Sequence, residues 1–248
     1  VLTAVTTEQL QSPDALYAEL GCKTVVGLPF KDISTSDAIV LDTPPALDDE
    51  KGRQTLKRLM DVAILPIIPA AALAAAPVDG AVALLSLQEH LDGVTAPACA
   101  GRTVVSIRGD ETMDQLSALK SLDHAFVLLD IPRNDLSGLH SSRRTFAAFE
   151  ELGIDSSVVH VFRPPASDSG ELALQMGTQV GGLLCDGLGD GVLVSPLPEA
   201  TFTTDLLRTT SFGLLQGSRM RSTKTEFVSC PSCGRTLFDL QEVTAQIS

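Results

Sequence analysis

The apolar residues of this chain recur in two alternating patterns. Runs rich in Val, Ile and Leu occupy residues 1–5, 23–28, 62–68, 81–87, 102–108, 124–131, 157–162 and 181–185. They lack strict apolar–polar alternation, as strands buried on both faces do. Between most of them, apolar positions fall at helical spacing: Leu56, Leu59 and Met60; Leu116, Leu119 and Leu122; Leu136, Leu139, Phe146, Phe149 and Leu152. Asp48 and Asp49 are placed to cap the helix that follows them. Residues 34–41 fit a short helix or a strand. Strands alternating with helices in this number predict a parallel sheet, most simply an α/β, TIM-barrel-like (β/α)8 domain. An open doubly wound sheet gives a similar string. However, no glycine-rich dinucleotide fingerprint follows any of the strands, which weakens a nucleotide-binding version.

Residues 62–78 are uncharged and apolar, which raises the question of a membrane span. The run is Ala-rich, contains Pro66, Pro69 and Pro77, and falls short of the ~20 residues a span needs. A buried strand followed by a loop is expected. The pattern breaks near Ser218. Arg219, Arg221 and Lys224 form a basic, polar run, followed by a strand-like stretch at 226–229, a cysteine pair and a helical pattern over 236–247. This predicts a barrel-like domain over residues 1–218 and the beginning of a second, α+β domain over 219–248.

Composition narrows the function. The chain is 44% hydrophobic and 20% charged, with a formal charge of −13. That balance suits a globular domain and repels phosphate backbones and anionic lipid, so neither nucleic acid nor a membrane is expected as a partner. A small phosphorylated substrate, which needs only a few local cations, is not excluded. The five cysteines are odd in number and Cys22, Cys99 and Cys185 are scattered, which fits a reducing compartment better than a disulfide framework. No Met opens the chain and both ends read as cuts, so the lack of a targeting segment carries no information on location.

The strongest chemical signal is Cys230-Pro231-Ser232-Cys233-Gly234-Arg235. Two thiolates at this spacing can share one metal or cluster, and a helix starting near Thr236 would aim its positive end at them. The spacing alone fits half a zinc site, a redox dithiol or half a cluster site. Upstream, Arg219, Arg221 and Lys224 with the hydroxyls of Ser222, Thr223 and Thr225 could hold a diphosphate; a solvated linker has the same composition. The loop at 185–191, rich in Gly and Asp after the apolar run 181–185, could offer backbone N–H groups to an anion. A tight turn requiring positive φ explains it better. His90, His124, His140 and His160 follow no metal spacing, and the charges at 108–111 and 30–32, each after a strand, could line a barrel mouth, though ordinary loop charges explain them as well.

The run 214–241, from Leu214 through Arg221, Cys230 and Cys233 to Gln241, resembles plant and algal 4-hydroxy-3-methylbut-2-enyl diphosphate synthases. So do residues 181–194 and, further upstream, KTVVGLPFKD at 23–32, KRLMDV at 57–62 and VSIRGDE at 105–111. The resemblance implies an internal fragment of the three-domain, plastid-type enzyme: its inserted barrel, followed by the start of its iron–sulfur domain. That enzyme reductively opens 2-C-methyl-D-erythritol 2,4-cyclodiphosphate in non-mevalonate isoprenoid synthesis, using electrons from ferredoxin. By position, Cys230 and Cys233 correspond to two of the three Cys ligands of a [4Fe-4S] cluster. The third Cys and a Glu ligand fall after Ser248, and Cys185 matches no ligand. Arg221 with Ser222 or Thr223 corresponds to the region contacting the substrate diphosphate. The loop at 185–191 resembles one in the family's catalytic barrel, which implies duplication and a spacer role for residues 1–218. Location would be the plastid stroma, or the cytoplasm in a bacterium. The rival reading is a structural or interaction module whose cysteine pair binds zinc between chains.

Overall fold

The computed structural model describes residues 1–132, 138–195 and 202–226, with positions 239, 242, 243 and 245. The described residues form β1 (Leu2–Ala4), β2 (Lys23–Val25), β3 (Leu28–Phe30), β4 (Ala38–Val40), β5 (Leu65–Pro69), β6 (Val82–Ser86), β7 (Arg102–Ile107), β8 (Val127–Leu129), β9 (Val158–Phe162) and β10 (Gly191–Val194). All but β2 and β3 close into a parallel barrel. Leu2 of β1 pairs with Ala38 of β4 on one side and with Leu193 of β10 on the other, sealing the ring.

Side-chain alternation sorts each strand between two environments. Leu2, Ile67, Val82, Val104, Leu128 and Leu193 meet inside the barrel, packed with Ala38, Val40, Leu84, Val159 and Val161. Their neighbours Ile39, Ile68, Ala83 and Leu85 point outward into a core shared with Leu56, Leu59 and Leu73. Burial on both faces explains why the strands read as continuous apolar runs.

Helices cover the barrel: α1 (Pro13–Glu19), α2 (Glu50–Asp61), α3 (Ala70–Ala75), α4 (Leu87–Leu91), α5 (Met113–Ser117), α6 (Gly138–Leu152), α7 (Ser169–Met176), α8 (Gly182–Cys185) and α9 (Thr204–Gly217). The predicted helical stripes fall on α2 and α6, with Leu136 outside the described residues; of the third, Leu116 lies on α5, Leu119 in the 3-10 turn that follows it, and Leu122 beyond the helix. The Asp49 side chain caps α2 by accepting the Gly52 N–H at 2.9 Å.

The structure corrects three expectations. Residues 23–28 are not a barrel strand; they belong to the antiparallel β2–β3 hairpin, and the second barrel strand is β4, within the ambiguous stretch 34–41. Residues 181–185 are helical, ending a π turn at Gly177–Gly181 and forming α8. An apolar run this short has no period of its own to separate strand from helix. Third, after β5 the run 62–78 continues as α3 rather than as a loop. Its alanines are strong helix formers, and Pro69 stands where the helix needs no N–H donor. Among the described residues, no helix is long and apolar enough to cross a membrane.

Candidate functional site

The C-terminal ends of barrel strands are where this architecture usually builds active sites. Here several of their polar groups are occupied by helix starts and turns. Ser86, the last residue of β6, accepts the Glu89 N–H at 3.1 Å while Glu89 accepts the Ser86 N–H at 2.7 Å, a capping box for α4. Thr112 and Gln115 form the same box at α5. The Glu111 carboxylate accepts the N–H groups of Arg108 and Gly109 at 2.5 and 2.8 Å. Arg163 forks onto Asp130, and Asp168 caps α7 by accepting the Gly170 and Glu171 N–H groups. No group of three or more His, Cys, Asp or Glu able to hold a metal occurs among the described residues.

The loop at 185–191 lies at the opposite pole. It follows α8 and leads into β10, so it is not the strand-to-loop exit read from the sequence. Its glycines serve backbone geometry, as the turn reading requires: Gly187 and Gly189 have φ of 76° and 117°. A Cβ on Gly189 would overlap the His160 ring. His160 is buried, and its Nε2 donates to the Leu188 carbonyl at 2.8 Å. Burial pushes its pKa down, against the hydrogen bond to Leu188 and the charge of Asp190. The Asp190 carboxylate accepts the Val158 N–H at 2.8 Å, joining the loop to β9.

The basic run after α9 is anchored at this same pole. Helices of a βα barrel run antiparallel to its strands, so α9 carries the chain back to where the strands begin. The Arg221 guanidinium donates to Asp37 at 2.6 Å and to the Ile33 carbonyl at 3.2 Å, and lies 5.0 Å from the Phe212 ring centroid. Burial raises the Asp37 carboxyl, but the Val1 ammonium and Arg221 outweigh it and hold it below the usual carboxylate range. The Gln216 side chain accepts the N–H groups of Thr223 and Lys224 at 3.0 and 2.9 Å and donates to the Lys224 carbonyl at 2.8 Å. Of the predicted phosphate-binding residues, Arg221 and Thr223 are therefore held together by contacts to Asp37 and Gln216. Ser222 stands between them. Cys230 and Cys233 lie outside the described residues, as do the strand-like stretch after Glu226 and the start of the helix near Thr236.

Asp37, Gln216 and Arg208 carried no sequence signal. Arg208 is buried and bonds the carbonyls of Glu19 and Ser34 at 2.9 and 2.6 Å and Asp205 at 2.5 Å, tying the last helix to the first elements. Its partners lie up to 189 residues away, beyond any local pattern. Of the remaining cysteines, Cys22 is half-buried with its thiol pushed up to about 11 by burial. Cys99 packs against the core and Cys185 is exposed on α8.

No protein-family model matches the chain. Against known proteins, it is 45% identical over 251 residues to the 4-hydroxy-3-methylbut-2-en-1-yl diphosphate synthase (ferredoxin), chloroplastic, of Arabidopsis thaliana, a match covering 100% of this chain and 34% of that protein. The rice protein of the same name is 44% identical, with the same coverages. This chain is homologous, end to end, to part of these synthases. It spans about a third of the length of the curated relatives it matches. A synthase of Protochlamydia amoebophila, named for flavodoxin, is 31% identical over 94% of the chain and 35% of its own length. Among solved structures, a chain of tryptophan synthase from M. tuberculosis overlays with a TM-score of 0.49 at 14% identity, covering 88% of this chain and 92% of that one. The barrel rests on the strand pairing above and not on that overlay.

Proposed function

We propose that this chain is part of a 4-hydroxy-3-methylbut-2-en-1-yl diphosphate synthase. In that reading the barrel of residues 1–218 acts as a spacer, and residues 219–248 begin the domain that holds an iron–sulfur cluster. The observation that carries this is the 45% identity to the Arabidopsis synthase along the whole chain. A barrel mouth where Ser86, Glu89, Glu111, Thr112 and Asp168 are spent on caps and turns supports a structural role for the first part. The substrate is the 2,4-cyclodiphosphate of methylerythritol, which the whole enzyme opens reductively. The electron donor is ferredoxin, and the compartment is the plastid, or the cytoplasm for a bacterial source.

Cys230 and Cys233 supply two thiolates, a soft donor pair suited to iron in a [4Fe-4S] cluster, with further ligands from outside residues 1–248. The cluster supplies single electrons to the substrate. Arg221, Ser222 and Thr223 form the edge that takes the diphosphate, with Arg221 exchanging Asp37 and the Ile33 carbonyl for phosphate oxygens, a charge-assisted pairing. The test is anaerobic reconstitution of the intact protein, with iron, acid-labile sulfide and zinc measured beside turnover. Iron and sulfide in equal amounts, with both cluster and turnover lost in Cys230→Ser, are expected. A cluster and activity surviving Cys230→Ser would overturn the ligand assignment. Zinc in place of iron would return the cysteine pair to the bridging module.

A further inference from the structure

The segment that leaves α9 is closed into a loop by one side chain. Gln216 accepts the Thr223 and Lys224 N–H groups at 3.0 and 2.9 Å and the Thr223 hydroxyl at 3.3 Å, and it donates to the Lys224 carbonyl at 2.8 Å. The end of α9 closes the other side. The Arg219 N–H donates to the Gln216 carbonyl at 2.9 Å and the Met220 N–H to the Leu215 carbonyl at 2.8 Å, the paired bonds of a Schellman helix end. The Arg221 N–H shares the Leu215 carbonyl at 3.3 Å. A solvated linker requires none of these contacts.

The polar side chains of this loop divide into two sets. Arg221 is held by Asp37 and the Ile33 carbonyl, and Thr223 by Gln216. Arg219, Ser222 and Lys224 are exposed. Among the described residues, the side chains of Arg219 and Lys224 and the N–H and hydroxyl of Ser222 make no hydrogen bond or ion pair. Consecutive Cα atoms are ~3.8 Å apart, so Arg219 and Ser222 lie at most ~11 Å apart and Ser222 and Lys224 at most ~8 Å. The long Arg and Lys stems bridge such spans.

The backbone singles out Arg219. Its φ is 59°, the left-handed conformation of the residue that follows a helix end. Glycine usually fills that position because it has no Cβ to strain. Here the nearest glycine is Gly217, still within α9, and an exposed arginine takes the strained place. Strain kept for a side chain with no partner in the fold points to a contact with a ligand.

Charge fixes the class of that ligand. No acidic residue occurs from Leu206 to Thr225, although the whole chain carries −13. Asp37, which faces the loop, is already engaged by Arg221. We propose that residues 216–224 form an oxyanion-binding loop in which Gln216, Arg221 and Thr223 are the frame, while Arg219, Ser222 and Lys224 present the donors to a diphosphate. That the diphosphate belongs to the cyclodiphosphate substrate rests on the synthase reading. The loop adds two cations to that reading's phosphate edge. Arg221 must release Asp37 before it can turn to a phosphate, whereas Arg219 and Lys224 have nothing to release, so they make the first contact.

The test titrates inorganic pyrophosphate into the 248-residue chain by calorimetry, for the parent, Arg219→Gly, Arg219→Lys and Ser222→Ala. Saturable binding that weakens with salt is expected in the parent. Arg219→Gly should weaken it about tenfold, the loss of one charge-assisted contact, while keeping or raising the unfolding midpoint because the turn is relieved. Arg219→Lys should recover most of the affinity, and Ser222→Ala should lose about threefold with its midpoint unmoved. In the intact synthase, Arg219→Gly should raise the KM for the cyclodiphosphate by about the same tenfold with kcat nearly unchanged, the mark of lost ground-state binding. No saturable binding in the parent, or parent-like affinity in Arg219→Gly, would overturn the loop. Normal turnover with an unmoved KM in that variant would overturn it too and leave the synthase reading standing. Pyrophosphate bound as expected by an intact protein that never turns over the cyclodiphosphate would sink the synthase reading and uphold the loop.

Discussion

Gly189 shows how one residue can be fixed by backbone and packing together. Its φ of 117° is strained for any L side chain, and a Cβ there would overlap the His160 ring. Gly189→Ala is expected to cost about 1–3 kcal/mol from backbone strain, read as a lower urea midpoint with an unchanged denaturant slope. His160 gives a second prediction, in pH. Burial holds its folded pKa below the ordinary 6.5, so the unfolded chain binds more protons once the pH falls below that value. Stability is therefore lost as pH falls through the unfolded pKa towards the folded one, and is fully present above it. The carboxyls of Asp37 and Asp49, also held low, lose their contribution only in a separate window, below the ordinary carboxylate value of 3.8. Thermal midpoints measured from about pH 7 to 5 should fall for the parent chain and stay flatter for His160→Gln, which can still donate to the Leu188 carbonyl. An equally steep fall in the variant would assign the dependence to another group.

At the scale of elements, strand pairing closes the barrel and α9, its last helix, is tied to its first elements. Arg208 donates to the Glu19 and Ser34 carbonyls from a buried position, and its Cζ lies where a Cβ on Gly21 would have to go. Arg208→Leu keeps the apolar packing of the stem but leaves two carbonyls without their donor. A loss of about 2–4 kcal/mol is expected, seen as a lower unfolding midpoint with the transition still cooperative. Most of the barrel could be read in advance from strands rich in Val, Ile and Leu, because both their faces are buried. The failures have physical causes. Residues 23–28 have the right strand character, but nothing local says whether a strand joins a barrel or folds back as a hairpin. Residues 181–185 are too short for any period to decide, and β10 hides after the glycine loop that such a run was expected to precede. The candidate site divides in the same way. Cys230 and Cys233 stand out by spacing that fits a zinc site, a dithiol or a cluster alike and lie outside the described residues, whereas Asp37, Gln216 and Arg208 matter only through partners the fold brings together.

On the scale of the whole molecule, the described cores and the proposed metal site belong to different stretches of chain. Among the described residues, the four buried clusters draw none beyond Leu215, and residues 219–226 bind the outside of the barrel through Arg221 and, by way of Gln216, through Thr223 and Lys224. A chain ending at Glu226 should therefore keep a single cooperative thermal transition. A midpoint within about 4 °C of the parent is expected, since about 1 kcal/mol moves the midpoint of a chain this size by about 2–4 °C. Metal uptake should vanish with Cys230 and Cys233. A broad, non-cooperative transition would mean that the cysteine segment is built into the barrel core. The parent chain sets the opposite bound. Under the proposed cluster assignment, two thiolates do not satisfy a four-iron cluster, so residues 1–248 alone should hold less than one cluster per chain after reconstitution. Full, stable occupancy in the 248-residue chain would show that its own side chains complete the ligand set.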